Sequence, residues 1–142
     1  MSEKKEEEIR AMLSQLEGGK LRLDAIGKQL QLVEASIAEV NATEASIAAI
    51  EGAKAGNEIL VPLGSDSYVR ASLADTKTLL VGVGSRISLE KSIPEAKKTL
   101  EQRRGELENA MKKLQESYVD LNGKLGELNA IVEGMVAELK GQ

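Results

Sequence analysis

The sequence predicts a mainly α protein with a small β insert, in which an antiparallel two-helix coiled coil is joined by two β-hairpins. Apolar residues recur on a seven-residue cycle towards both ends of the chain, whereas residues 58–91 alternate in polarity between glycine turns. Ala, Leu, Glu, Lys, Ile and Val dominate, and Tyr68 and Tyr118 are the only aromatic residues. Because globular cores draw much of their buried area from aromatic side chains, we expect thin apolar seams between helices.

The first helix is predicted over about residues 5–52. Two interleaved series form its seam: Ile9, Leu16, Leu23, Leu30, Ile37 and Glu44, and, three residues later each time, Met12, Gly19, Ile26, Val33, Val40 and Ile47. A heptad cycle sustained over this length is typical of a coiled coil. The stretch EGAKAGNE, residues 51–58, is expected to end the helix because two glycines and an asparagine interrupt it.

Residues 58–91 are predicted to form two β-hairpins. The most apolar positions of the four candidate strands carry odd numbers: Ile59, Val61 and Leu63; Val69, Ala71 and Leu73; Leu79, Val81 and Val83; Ile87 and Leu89. If hairpin partners share a face, the loops around 64–68 and 84–86 should contain an odd number of residues, with a glycine absorbing a bulge. Two short hairpins are marginal alone, so these strands need further strands beside them.

The second helix is predicted over about residues 92–140. It begins at Ser92-Ile93-Pro94-Glu95, which has capping-box spacing with proline in the first turn. Its seam consists of Ile93, Leu100, Leu107, Leu114, Leu121, Leu128 and Met135, and of Lys97, Arg104, Met111, Tyr118, Leu125, Val132 and Leu139. Mutual burial of the two helices explains these stripes better than a membrane-surface helix, because the polar faces mix glutamate with lysine.

Two polar residues in the predicted seams suggest a register for the antiparallel helices. With Gly52 placed near Lys91, Glu44 of the first seam faces Lys97 of the second, and Arg104 lies close by. We expect such a pair to fix the helix register instead of adding much stability. The alternative is that these charges are solvated and unpaired where the seam widens.

The chain ends are the candidate binding surface. In this register the pair Gly18-Gly19 lies near Gly123 and Gly126, so helix stability is predicted to be low there. Beyond this point the helix tips can separate. The apolar tip residues are Ile9, Met12, Leu13, Leu16, Ile131, Val132, Met135, Val136 and Leu139. Their surplus of Met, Leu and Val suits an adaptable apolar surface. Frayed ends with a closed seam are the other interpretation.

The sequence argues against catalysis, cofactors and metals. Histidine and cysteine are absent, which removes the usual neutral-pH base, the usual metal ligands and any thiol nucleophile. Gly82-Val83-Gly84 lacks the continuation of a phosphate loop and is interpreted as a hairpin turn. We therefore expect no catalytic, cofactor-binding or metal site.

Net charge and hydropathy argue against two classes of partner, nucleic acids and membranes. The net charge of −4 argues against nucleic acid as a partner. No apolar run approaches the length of a membrane span, and no signal-peptide core follows the charged start. A cytoplasmic location without membrane partners is the expectation.

The hairpin region resembles that of the α-type subunit of prefoldin, a cytosolic chaperone. The specific matches are Val61-Pro62-Leu63-Gly64, Tyr68-Val69-Arg70, and Val81-Gly82-Val83-Gly84 followed by Glu90-Lys91. The helices match by pattern only, and the resemblance spans residues 1–142 as one domain. Two hairpins, where the β-type subunit has one, indicate the α-type.

The resemblance implies a function. In that family two α-type and four β-type subunits join their strands into a double β-barrel, and the distal ends of the coiled coils hold unfolded polypeptide without ATP for a group II chaperonin. By position, the resemblance implies that the tip residues bind the client. It also implies that the strand residues form the subunit interface, namely Ile59, Val61, Leu63, Val69, Ala71, Leu73, Leu79, Val81, Val83, Ile87 and Leu89.

Two other functions stay open. The same strands could assemble identical subunits into a structural homo-oligomer or filament, with the coiled coils as spacers. A coiled-coil arm that docks on RNA is the third possibility, and the acidic balance without a basic stripe counts against it.

Overall fold

The computed structural model describes residues 2–141, except the side chain of Ser2, and it confirms the predicted fold class. The elements are α1 (Ser2–Glu51), β1 (Glu58–Gly64), β2 (Ser67–Ser72), β3 (Thr78–Gly84), β4 (Ile87–Ser92) and α2 (Ile93–Lys140). The predicted domain includes Met1 and Gln142, which lie outside the described residues. No helix between residues 2 and 141 combines the length and apolarity needed to cross a membrane.

Contacts within the chain group it into two compact units. One unit, here called the terminal unit, combines the residues up to Ala35 with those from Glu108 onward. The other, here called the hairpin unit, is Ser36–Leu107. The interpretation of the whole chain as a single domain stays a prediction.

In the terminal unit, α1 and α2 pack antiparallel around a small apolar core, here called the terminal cluster. Its buried residues are Ile9, Leu16 and Val132, and the partly buried ones are Met12, Leu125, Leu128, Met135, Val136 and Leu139. Every seam position predicted in this unit is buried or half-buried. At the edge of the cluster, Lys5 Nζ lies 3.4 Å from Glu138 Oε2, which is consistent with the antiparallel direction. The heptad pattern therefore identified the packed faces of both helices.

Gly19 is a seam position that lies directly beneath Leu125. A Cβ atom built on Gly19 would overlap Cδ2 of Leu125, so a larger residue would require this leucine side chain to move. The neighbouring Gly18 faces open space. Gly19 thus allows a close approach of the helices, whereas Gly18 has no packing reason to be glycine and costs α1 about 1 kcal/mol relative to alanine.

In the hairpin unit, strand β3 joins the helices in one apolar cluster. Ile47, Ile93 and Ala96 are buried, and Ile50, Leu79, Val81 and Leu100 pack against them. The start of α2 agrees with the predicted cap, because the backbone N–H of Glu95 donates to Ser92 Oγ at 3.3 Å. The contacts of Leu79 and Val81 with the helices thus attach one face of the second hairpin to the helix pair.

The predicted direct Glu44–Lys97 pair is wrong, whereas the expected proximity of Arg104 to Glu44 is confirmed. Glu44 pairs with Arg104, whose Nε also donates to Asn41 Oδ1 at 3.1 Å, and Lys97 pairs with Glu51. The packing of Ile47 with Ala96 agrees with the expected helix register. The long side chains of Lys97 and Arg104 reach acids further along α1 than the residues that face them. Glu44 Oε1 is buried with no hydrogen-bond partner among the described residues.

Both hairpins pair their odd-numbered residues, as predicted, but the turn length and the position of the bulge differ from the prediction. Val61 lies opposite Val69, and Val81 lies opposite Leu89. The turns contain two residues each, all four with positive φ, instead of an odd number. The extra residue lies inside the first strand, where a register shift leaves Leu63 and Val83 without a cross-strand partner. Gly64 and Gly84 follow these bulges with φ of 108° and 100°, which glycine adopts freely.

The two hairpins form separate two-stranded sheets, so each strand has one edge without a hydrogen-bonded neighbour in the described chain. Asp75 organises the connection between them. Its Oδ1 accepts from the backbone N–H of Lys77 at 2.8 Å, and its Oδ2 accepts from the hydroxyl of Thr78. The Thr78 hydroxyl, followed by the Lys77 amide, lowers the pKa of Asp75 below its usual value.

The observed pairing of Glu44 with Arg104 can be tested with a double-mutant cycle. We expect Glu44→Gln and Arg104→Gln to show a coupling of about 0.5–1 kcal/mol in the free energy of unfolding, because both side chains are mostly shielded from water. Urea unfolding of the wild type, both single variants and the double variant measures it. The matched cycle of Glu44→Gln with Lys97→Gln should give no coupling. Coupling in that second cycle, without coupling in the first, would restore the sequence-derived pairing.

Candidate assembly and client-binding surfaces

The predicted assembly residues are largely uncovered in the single chain. Most of them are at least 36% exposed, namely Ile59, Val61, Leu63, Val69, Val83, Ile87 and Leu89. The other four are half-buried: Ala71, Leu73, Leu79 and Val81. Leu79 and Val81 owe this to their contacts with the helices. The strands therefore hold valine, isoleucine and leucine side chains in water, which is a marker of an interaction surface.

Sequence reasoning missed the opposite face of the strands. Leu60, Tyr68 and Leu80 carry even numbers, and they are 62%, 57% and 78% exposed. The adjacent pairs Ile59-Leu60 and Leu79-Leu80 were the available signal, because strands covered on both faces are continuously apolar instead of alternating. Both faces of the hairpins thus offer apolar area to a partner.

The strand backbones add directional groups to this surface. An edge strand presents a row of N–H and C=O groups that can pair with a strand of another chain. Charged side chains at an edge oppose such pairing. On the first hairpin Arg70 Nε lies 3.5 Å from Glu58 Oε1, so the two opposite charges partly offset each other. Apolar faces together with open edges define a module that completes its sheets through other polypeptides.

The predicted client-binding residues divide into two groups in the terminal unit. Seven belong to the terminal cluster and face the closed helix seam: Ile9, Met12, Leu16, Val132, Met135, Val136 and Leu139. Leu13 and Ile131 lie outside it and are 48% and 52% exposed. The apolar seam between the ends is thus packed in this structure, while Leu13 and Ile131 stay exposed.

The geometry of the described residues points to binding. The part of the chain from residue 2 to residue 141 contains no group of three or more residues that could hold a metal ion. Asp75, whose pKa is lowered, has both carboxylate oxygens engaged by the backbone and hydroxyl of its own turn. The arrangement offers binding surfaces: a paired-helix arm and strands that require partners. This is the class of oligomerising coiled-coil proteins.

Comparison with known proteins identifies the family within this class. The prefoldin subunit family matches residues 20–138. A prefoldin subunit alpha from Methanobrevibacter smithii is 29% identical over 136 residues, which cover 96% of this chain and 92% of the relative. That from Methanocorpusculum labreanum is 31% identical over 137 residues, with coverage of 96% and 90%. The chain belongs to the prefoldin subunit family, as a member of its α type, so it is a chaperone-type subunit and not an enzyme.

Solved structures agree. A cryo-EM structure of filamentous PFD from Methanocaldococcus jannaschii matches with a TM-score of 0.65 at 27% identity, covering 87% of this chain and 97% of that one. The crystal structure of the prefoldin beta subunit from Thermococcus strain KS-1 gives a TM-score of 0.58 at 20% identity, with coverage of 89% and 90%, and shows the shared fold alone. Membership of the prefoldin subunit family, together with the match to the filamentous PFD, supports assembly with other prefoldin subunits.

Two substitutions separate assembly from folding. Val69 is 45% exposed in the single chain, so Val69→Asp should leave helix content and unfolding almost unchanged. In a complex it would bury an unpaired charge, and we expect association with partner subunits to weaken by about a hundredfold or more. Val81→Asp should damage both properties, because Val81 also packs against the helices. Circular dichroism and mass in solution measure the two effects. Normal assembly of the Val69→Asp variant would exclude that strand from the interface.

Proposed function

We propose that this chain is a subunit of an ATP-independent chaperone of the cytoplasm. Two copies join four β-type subunits through their strands, and the complex binds unfolded polypeptide through its terminal units and passes it to a group II chaperonin. The observation that carries this proposal is the set of apolar strand residues, uncovered on both faces, in a chain whose helices already pack against each other. The subunit-alpha relatives support the α-type role in such a complex.

Client binding would begin at Leu13 and Ile131 and extend into the terminal cluster. The cluster is thin, because no side chain in the described chain is less than 2% exposed. Its methionines, Met12 and Met135, are unbranched and can repack around varied partners. Local opening of the seam would add Ile9, Leu16 and Val132 to the apolar area offered to a client.

Weak contacts suit a chaperone that must release its client without ATP. An apolar side chain that becomes buried contributes about 1.5–3 kcal/mol at most, so one arm holds a client only loosely. Several arms in one complex raise the overall affinity through effective concentration. A chaperonin that competes for the same segments can then displace the arms one at a time.

A filament is the second candidate. The observation that favours it is the similarity to the filamentous PFD of Methanocaldococcus jannaschii, at 27% identity over most of both chains. Open strand edges on both hairpins would allow identical subunits to add without a closing contact. In that case the coiled coils would serve as spacers.

The client surface is tested by paired substitutions at exposed positions. We expect Leu13→Ser with Ile131→Ser to reduce the suppression of client aggregation, because these side chains leave water when a client binds. Removal of residues 1–16 and 131–142 should abolish suppression and leave assembly intact. Leu21→Ser with Leu32→Ser is the matched control, since both leucines are about 70% exposed and lie outside the predicted set. Undiminished suppression by the truncated complex would contradict the assignment.

The assembly is tested by mass. Expressed with the one-hairpin subunit of the same organism, the chain should give a defined heterohexamer with two copies of itself, because the partner strands close the sheets. Native mass spectrometry and light scattering measure the composition. Long polymers of this chain alone, formed in preference to the mixed complex, would support the filament instead.

A further inference from the structure

One asparagine of the terminal unit has a neighbour that makes it chemically labile. Asn122 is followed by Gly123, whereas every other asparagine of the chain is followed by alanine or glutamate. The backbone nitrogen of the residue after an asparagine can attack the carbonyl carbon of the asparagine side chain, and glycine offers the least steric hindrance. Both residues are exposed in the structure. The pair thus combines a reactive sequence with access to water.

The side chain of Asn122 is not held in place by the fold. Two other helical asparagines are held: Asn41 accepts a hydrogen bond from Arg104 Nε at 3.1 Å, and Asn129 donates one to Glu133 Oε1 at 3.2 Å. The side-chain amide of Asn122 has no such bond to any residue between 2 and 141. Rotation of this side chain towards the backbone therefore breaks no interaction.

The α-helix restrains this reaction, because helical geometry directs the Gly123 N–H towards the carbonyl group four residues earlier instead of towards the asparagine side chain. The attack therefore requires α2 to open locally. Opening is favoured at this point, since Gly123 and Gly126 both lower helix stability relative to alanine. Neither has a packing reason to be glycine, as a Cβ atom on either would face open space.

The facing helix is weak at the same level. Gly19 of α1 lies directly beneath Leu125, and its neighbour Gly18 faces open space. Beside them the seam leaves a space of about 390 Å³, which Asn122 borders together with Leu16 and Leu125. Few side-chain contacts therefore oppose a local opening of α2 at Asn122.

We propose that Asn122 is a site of spontaneous deamidation whose isoaspartate product opens the terminal cluster. The backbone nitrogen of Gly123 forms a bond to the side-chain carbonyl carbon of Asn122. The side-chain amide nitrogen leaves as ammonia and takes with it the proton of that backbone nitrogen. The resulting cyclic imide then adds water at one of its two carbonyl groups. Hydrolysis at one carbonyl gives aspartate, and hydrolysis at the other gives isoaspartate, in which the main chain runs through the former side chain.

The isoaspartate product disrupts the packing that follows it. It adds one carbon atom to the main chain, so the regular hydrogen bonds of α2 cannot continue across position 122. The seam residues beyond this position pack in the terminal cluster, namely Leu125, Leu128, Val132 and Met135. Lengthening the main chain moves them out of phase with their partners on α1. The cluster becomes exposed, which under the proposed function enlarges the surface offered to a client.

The aspartate product, by contrast, adds a charge and leaves the main chain unchanged. Lys20 borders the same space as Asn122, so a carboxylate at position 122 has a cation nearby. The variant Asn122→Asp is therefore the matched control for charge. We expect it to keep the helix content and the closed cluster of the wild type. The chain that contains isoaspartate should lose helix content and bind more of a dye that reports exposed apolar surface.

Ageing of the full chain tests the site. After incubation for weeks in neutral buffer and proteolytic digestion, mass spectrometry should detect deamidation at Asn122. Enzymatic methylation that is specific for isoaspartate should identify this form as the main product. Asn129 is the internal control, since it lies on the same helix but is followed by alanine and bonded to Glu133. It should remain unreacted over the same time.

Two glycine variants test the requirement for local opening. Gly126→Ala leaves the pair Asn122-Gly123 unchanged and fits into open space. We expect it to slow deamidation by about fivefold, because alanine makes the opening of the helix rarer by that factor. Gly105→Ala makes the same change elsewhere on α2, also without a clash, and should leave the rate unaltered. Peptide mapping at several times measures the rates.

The outcomes separate this inference from the proposed function. Deamidation of Asn129 at the same rate as Asn122 overturns the site, and equal rates in the two glycine variants overturn the opening step. Dye binding by the isoaspartate form that does not exceed that of Asn122→Asp overturns the structural consequence. All of these measurements use the chain without a client or a partner subunit, so a failure of the proposed function leaves them unaffected.

Discussion

The structure depends on strands that the chain itself cannot cover. Each hairpin is a sheet of two strands, and each strand leaves one row of backbone donors and acceptors without a protein partner in the described chain. Water can satisfy these groups, but it cannot remove the cost of holding aliphatic side chains in solvent on both faces. The helices supply little cover, because their apolar stripes are already used against each other. This uncovered apolar area is the physical basis of the proposed assembly through the strands.

The helix pair, unlike the strands, covers its own apolar residues. Its seams bury side chains one layer deep, and no residue in the described chain reaches the exposure below 2% that is common in a globular core. Stability is then spread along the seam, and register depends on specific features. Two ion pairs one heptad apart help to set the register in the hairpin unit. In the terminal unit, the fit of Leu125 into the space above Gly19 does the same. A seam of this kind holds its alignment and still has a low cost of local opening.

The hairpin unit joins these two kinds of structure. Leu79 and Val81 attach one face of the second hairpin to Ile47 and Ala96, so that hairpin is anchored, whereas the first hairpin makes its ladder contacts with itself alone. The two hairpins of the chain are therefore not equivalent. The second hairpin therefore shares an apolar layer with the helices, whereas the first hairpin presents sheet alone.

The sequence by itself determined the helices, their buried faces and the odd-numbered pairing of the strands. Each of these follows from a local repeat of apolar residues, which matches the repeat of side-chain directions along a helix or a strand. It also predicts that the strands need partners, since two short hairpins cannot bury what they carry. Tertiary structure decided which cation contacts Glu44 and which acid contacts Lys97, because long side chains can reach several positions on the facing helix and no local pattern selects one. It likewise decided that Leu60 and Leu80 stay exposed on the second face of the strands, because the helices cover only part of the hairpins.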